Sequence, residues 1–360
     1  MNQKIRFCTT RDGAKLAYAI SGEGPPIVMS ATWLTHLEHQ WQSMAWRPWL
    51  EAFSRENLLL RYDSRGCGLS DRIVKHVSFE TWVDDLECVV DASGLERFAL
   101  LGTCQGGPIA MEYAARHPQR ITHLVLYGTY ARGRYRRTDA PKEVEKAKVL
   151  LDLLRLGWGQ ENHAFLQVWA AQFQPGGSIG HLRSWSDQQR AATSAEIAAQ
   201  LLPISWNLDM AQTASRITVP TMVLHAEQDA VVPVEEGRLL AGLIPDCRFV
   251  QLSGQNHMPL ADEPMWPKLL SEVRGFLKDE TNERSCGQDA LPLGALTSRE
   301  RNVLECIARG LDNSEIAASL GLSNKTVRNH ITRVFHKIGV EHRYQAIVRA
   351  RQAGLGLGAG

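Results

Sequence analysis

Leu101-Gly102-Thr103-Cys104-Gln105-Gly106-Gly107 stands where an apolar run, residues 98–102, gives way to a segment of helical periodicity, residues 105–117. Glycines two positions before and two after Cys104 let a strand turn abruptly into a helix, with the central side chain exposed on a strained turn. A turn of this form presents a nucleophile, and the residue presented here is a cysteine.

The pattern around this turn repeats. Apolar runs at 27–30, 58–62, 124–127, 221–225 and 248–252 are separated by helix-like stretches such as 79–92. Strands alternating with helices imply an α/β fold, a mostly parallel sheet covered on both faces. Upstream, residues 4–31 read as short strands broken by Asp12-Gly13 and by Gly22-Glu23-Gly24-Pro25-Pro26. Between 132 and 216 the strand signal vanishes, and helix-like sequence carries Trp158, Trp169, Trp185 and Trp206. This reads as a helical cap inserted into the sheet, which resumes at Val219 and is closed by a helix near 266–277. Residues 279–295 are polar, rich in small residues and aperiodic, as in a linker, and four short helices follow. The expected organisation is one domain over 1–278 with its cap over 132–216, a linker over 279–295, and an all-α domain over 296–360.

Of the 360 residues, 44% are hydrophobic and 22% charged, which allows a sizeable core and argues against disorder. The net charge is +1 but unevenly spread: residues 296–360 hold ten Lys/Arg against five Asp/Glu, and 1–295 hold thirty against thirty-four. A basic tail suits phosphate contact, although a solvated surface gives the same count. The seven cysteines form no CxxC pair, so reduced thiols and no metal are expected. No apolar run reaches about 18 residues, and Met1-Asn2-Gln3-Lys4 leads straight into strand-like sequence. A cytoplasmic protein without membrane association is expected.

Asp229 and His257 each stand just past a strand end, in the chain order nucleophile, acid, base. Singly, each has a plain explanation, since a buried Cys packs as a small hydrophobe and an Asp or His beside a turn serves the turn. Together, Cys104, Asp229 and His257 form a candidate catalytic triad, with His257 as base and Asp229 orienting it.

In this combination, residues 4–278 resemble the α/β-hydrolase family. Arg61-Tyr62-Asp63-Ser64-Arg65-Gly66-Cys67-Gly68-Leu69-Ser70-Asp71 resembles that family's turn after its fourth core strand, and Val219-Pro220-Thr221 with Asp229 and Val232-Pro233 resembles its acid-bearing loop. The resemblance implies an oxyanion hole made by the backbone N–H groups of Gln105 and Trp33. The family usually carries His-Gly in the early loop, whereas this chain has Ala31-Thr32. That departure, with Cys in place of Ser, leads to an expectation of weak or absent hydrolysis. Trp33-Leu34-Thr35-His36-Leu37-Glu38 resembles a subgroup fused to regulatory domains. A similarity to Cys-dependent dienelactone hydrolases keeps a working esterase, lactonase or thioesterase open as the alternative. Tryptophans cluster in the early loop and the cap. Trp33, Trp158 and Trp169 are expected to line a pocket for a small, apolar or aromatic organic ligand, with core packing as the other reading. No cofactor is implied.

The tail carries its own signals. Thr297-Ser298-Arg299-Glu300 reads as a capping box, and Val303, Leu304, Ile307 and Ala308 share one helical face. Asp312 to Glu315 repeats the cap logic, Gly321-Leu322 makes a turn, and Ser323 caps a third helix reaching about Ile338. Val327, Ile331, Val334 and Ile338 face inward at helical spacing. Lys325, Thr326, Arg328, Asn329, Thr332 and Arg333 then form the candidate DNA-binding face, with Lys337 placed for phosphate. A helical bundle that binds protein is the competing reading. Residues 296–350 resemble the LuxR-type helix-turn-helix along their full length, in Leu-Thr-x-Arg-Glu, Asn-x-Glu-Ile-Ala, Thr-Val-Arg-x-His and Lys-Ile-Gly-Val. The resemblance implies double-stranded DNA as partner and a fourth helix over 343–351 that pairs two subunits into a homodimer.

Overall fold

The computed structural model describes residues 3–73, 76–137, 140–158, 164–278 and 296–340, together with positions 343, 346, 347, 350, 353, 355 and 356. Eight strands form one sheet: β1 (Lys4–Thr9), β2 (Lys15–Ser21), β3 (Pro26–Met29), β4 (Leu58–Tyr62), β5 (Phe98–Thr103), β6 (Ile121–Tyr127), β7 (Thr221–Ala226) and β8 (Arg248–Leu252). Their order is β1-β2-β4-β3-β5-β6-β7-β8. β2 is antiparallel to both its neighbours, and every pair from β4 to β8 is parallel. Helices cover both faces, so a central strand such as β5 (FALLGT) is buried along its whole length, which explains its continuous apolar sequence. β6 begins three residues before the apolar run suggests, because His123 is buried and packs edge-on against Phe276 at 4.9 Å. A polar residue in a covered face hides the strand from a hydrophobicity pattern.

Local chemistry sets the ends of the helices. Phe79–Ser93 starts at a Ser78/Thr81 capping box and stops at Gly94, whose φ of 75° is left-handed. The block 61–71 is a buried turn. Asp63 accepts from the N–H groups of Leu37 and Leu69 through Oδ2, and Arg65 bridges Asp12 and Asp85.

Between β6 and β7 the described residues form the α-helices Ala140–Gly157, Ala164–Phe173, Ile179–Ala192, Ala195–Trp206 and Ala211–Ser215, preceded by a single 3-10 turn over Arg134–Arg136. They are tied to the body at several points. Gln188 donates to Leu34 O at 2.7 Å, Thr193 donates to Gly66 O at 2.6 Å, and Trp185 stacks on Trp46 with centroids 6.1 Å apart. At the entry to this insertion, Arg132 grips the buried carboxylate of Glu236 through its backbone N–H, Nε and Nη2.

The C-terminal helices Ser298–Ala308, Asn313–Leu320 and Asn324–Ile338 enclose a core of their own, built on Val303, Leu304, Ile307, Ile316, Val327, Val334 and Ile338. Of the expected fourth helix, positions 343, 346, 347 and 350 are helical, and Ala346, Ile347 and Ala350 are buried in this core. The expected linker, 279–295, lies outside the described residues. No helix among the described residues is long and apolar enough to cross a membrane.

Candidate functional site

Cys104 occupies the turn between β5 and the helix Gly106–Arg116, at φ 48°, a left-handed conformation that a cysteine adopts only when its surroundings impose it. Those surroundings are close backbone contacts. Its N–H donates to Tyr127 O at 3.1 Å, and its carbonyl accepts from Thr129 Oγ1 at 2.7 Å. A Cβ at Gly102 would come within 2.8 Å of the Ala110 Cβ, and one at Gly107 would overlap Thr129. The two glycines therefore let strand and helix pack closely enough to force the turn.

His257 and Asp229 project from the loops after β8 and β7. His257 Nδ1 lies 2.6 Å from Asp229 Oδ2, and Asp229 Oδ1 accepts from the N–H groups of Val231 and Val232 at 2.8 and 2.9 Å. Both side chains are buried. Burial opposes a charge on His257, but the Asp229 carboxylate, together with charge and hydrogen-bond interactions with Cys104, outweighs it and raises the imidazole to about 10. Burial likewise opposes ionisation of Asp229, yet the facing His257 holds its carboxyl below the usual range. The site thus sets a protonated imidazole against a sulfur, with a carboxylate behind it.

Sequence reasoning missed His225. This fully buried residue at the end of β7 has Nε2 within 2.8 Å of Val232 O and 3.6 Å of Asp229 Oδ2. Burial lowers its pKa, and the side chain backs the loop that carries Asp229. A histidine inside an apolar strand run was the available signal. The backbone N–H groups of Gln105 and Trp33, the expected oxyanion donors, make no hydrogen bond to another described residue.

Cys104 opens onto two adjoining cavities. The larger, about 600 Å³ including its mouth, is bounded by Trp33, Gln105, Trp169, Phe173 and Trp206, with Arg134 and Arg137 from the start of the insertion. The smaller, about 320 Å³, runs past His257 between Trp33, Trp46, Tyr127 and Trp185. Trp33 and Trp169 therefore border the cavity over Cys104, but Trp158 does not. Trp158 follows the first insertion helix, and its buried Nε1 donates to Thr193 O at 3.1 Å, which ties that helix to the turn before Ala195–Trp206 within the insertion. Among the described residues no cluster of His, Cys, Asp and Glu could hold a metal.

In the C-terminal domain, Lys325, Arg328, Asn329, Thr332 and Arg333 are all exposed on the helix Asn324–Ile338, opposite buried Val327, Val334 and Ile338. Thr326 is half-buried and pairs with the cap Ser323 at 2.8 Å, while Thr332 bonds back to Arg328 O at 3.1 Å. Lys337 is used differently from expectation. Its exposed ammonium lies 2.6 Å from Glu300 Oε2, which ties this helix to the capping box of Ser298–Ala308.

A nucleophile-elbow turn on a mostly parallel sheet and a C-terminal helical unit with its own core define a two-domain protein. The chain belongs to the alpha/beta hydrolase fold family, which it matches over residues 25–264, and residues 294–350 match the bacterial regulatory proteins of the luxR family. It is 26% identical over 260 residues to the non-heme chloroperoxidase CPO-A1 of Kitasatospora aureofaciens, covering 70% of this chain and 91% of that protein. It is 36% identical over 126 residues to the transcriptional regulatory protein LiaR of Bacillus subtilis, covering 35% of this chain and 57% of that protein. A hydrolase structure from Pseudomonas aeruginosa superposes with a TM-score of 0.62 at 25% identity, over 76% of this chain and 98% of the other. The protein thus joins a hydrolase-fold domain to a LuxR-type DNA-binding regulator domain.

Proposed function

We propose that this protein is a cytoplasmic, homodimeric transcriptional regulator in which a small, largely apolar or aromatic molecule in the cavity over Cys104 changes the occupancy of promoter DNA. The observation that carries this reading is the presence, on one chain, of an aromatic-lined cavity and a helix with Lys325, Arg328, Asn329 and Arg333 exposed. Arg reads guanine edges and Asn reads adenine in the major groove, and two half-sites about one helical turn apart would suit a dimer. The ligand acts only through a difference in affinity between two states, and the hydrogen bond from Gln188 to the early loop links the insertion to the wall of the cavity.

Footprinting of the protein's own upstream region, with and without a panel of aromatic and alkyl compounds, tests the reading. Protection that changes with one compound supports it, and identical protection throughout defeats the sensing part.

The triad geometry favours a second reading, a Cys-dependent esterase, lactonase or thioesterase carried on DNA. In that case Cys104 Sγ attacks a carbonyl, and Gln105 and Trp33 N–H groups stabilise the oxyanion. Cys104→Ala separates the two. Regulation that survives loss of p-nitrophenyl acetate cleavage makes the cavity a receptor, whereas loss of both makes covalent chemistry the signal.

A further inference from the structure

The wall of the larger cavity carries more positive charge than a purely apolar ligand needs. Arg134 and Arg137 both line it, and each side chain is only 12% exposed. A guanidinium is withdrawn from water at a cost unless a counter-charge or acceptor meets it. Among the described residues, the carboxylates within 4 Å of Arg132, Arg134, Arg137 and Lys146 are Glu143 and Glu236. Glu236 is taken by Arg132, which holds it at 2.9 Å and adds its backbone N–H. Glu143 lies 3.0 Å from Lys146, 3.5 Å from Arg134 and 3.9 Å from Arg137. The last two distances are outside good hydrogen-bond range. Arg134 otherwise rests over the Trp206 ring at 5.4 Å, and Arg137 donates to Arg132 O at 3.4 Å. Among the described residues, then, neither guanidinium donates a hydrogen bond to a carboxylate, although both border a cavity with aromatic walls.

We infer that Arg134 and Arg137 select an organic anion, an aromatic or alkyl carboxylate, whose apolar body lies along Trp33 and Trp169 while its carboxylate takes the guanidinium N–H groups. This rests on the proposed reading of the cavity as a ligand pocket and adds the charge of what enters it. A planar guanidinium fork matches a carboxylate, and the dry aromatic wall strengthens the pairing. Burial opposes the charge on both arginines and lowers their pKa, a cost that an anion seated between them would offset.

The test is titration of the full-length protein, by calorimetry and tryptophan fluorescence, with 4-phenylbutyrate and 1-naphthylacetate and with the primary amide of each. At least one acid is expected to bind about tenfold or more tightly than its amide, the size of a charge-assisted hydrogen bond set against a neutral one. Arg134→Gln and Arg137→Gln should each remove most of that preference. Arg134→Lys and Arg137→Lys should restore part of it. A melting curve checks each variant, and the Lys variants keep the test open if a Gln variant fails to fold. Equal binding of acid and amide by the wild type overturns the charge selection while leaving the pocket in place. Saturable binding of none of the four compounds overturns both the inference and the reading beneath it.

Discussion

Asp229 stands behind His257, and His257 faces Cys104. His257 is raised to about 10 by Asp229 and Cys104 against the pull of burial, so it holds its proton through neutrality beside the sulfur. By contrast, burial pushes the thiols of Cys8, Cys67 and Cys247 up to about 12. Iodoacetamide at neutral pH is therefore expected to label the peptide bearing Cys104 ahead of those three, and His257→Asn to slow that labelling by about tenfold; mass spectrometry reads both. Stability has a matching signature. A histidine raised in the folded state contributes stability that is fully present below pH 6.5, its unfolded value, and is lost as pH climbs through about 10. Thermal melts of wild type and His257→Asn should differ by roughly 5 °C at the acid end of that window and converge toward pH 10.

At the scale of single elements, the elbow helix and the third C-terminal helix each depend on a close contact. Gly107→Ala forces a methyl group into Thr129, whose hydroxyl also holds the Cys104 carbonyl. A cost of about 2 kcal/mol in urea denaturation is expected, together with slower Cys104 alkylation. In the DNA-binding domain, Lys337 beside Glu300 holds that carboxyl down to about 2, so their pairing contributes fully above pH 4.5 and is lost as the pH falls toward 2. Lys337→Gln is expected to lower the melting temperature of this domain while leaving the salt dependence of DNA affinity near wild type. Lys325→Gln should instead reduce the slope of log affinity against log salt by about one. Fluorescence anisotropy over a salt series tells the two apart.

Over the whole molecule, polar contacts at several points join the insertion between β6 and β7 to the sheet domain, and among them Arg132 pairs with the buried carboxylate of Glu236. Arg132→Met leaves Glu236 buried with only a backbone donor. A loss of about 2 kcal/mol is expected, since Arg132 itself is partly exposed, with faster proteolysis inside 140–216 than elsewhere in the sheet domain. If occupancy of the cavity braces the insertion, a bound carboxylate should slow that cleavage, which links the local charge arrangement to a change that a DNA-binding domain could register.

The amino-acid order alone was enough for everything that rests on local spacing. The glycine-framed elbow, the sequence of nucleophile, acid and base, the strand-helix alternation and the capping boxes at Thr297 and Asp312 all come from short-range sterics and hydrogen bonding, which a linear pattern records. What only folding decided are encounters between residues far apart in the chain. Trp158 turned to Thr193 and away from the cavity, Lys337 was drawn to Glu300, and Arg134 and Arg137 came to the wall of the cavity that Cys104 opens onto. The reason is physical: whether a side chain fills a core, pairs a charge or borders a cavity depends on which distant surface is packed against it, and no local periodicity carries that information.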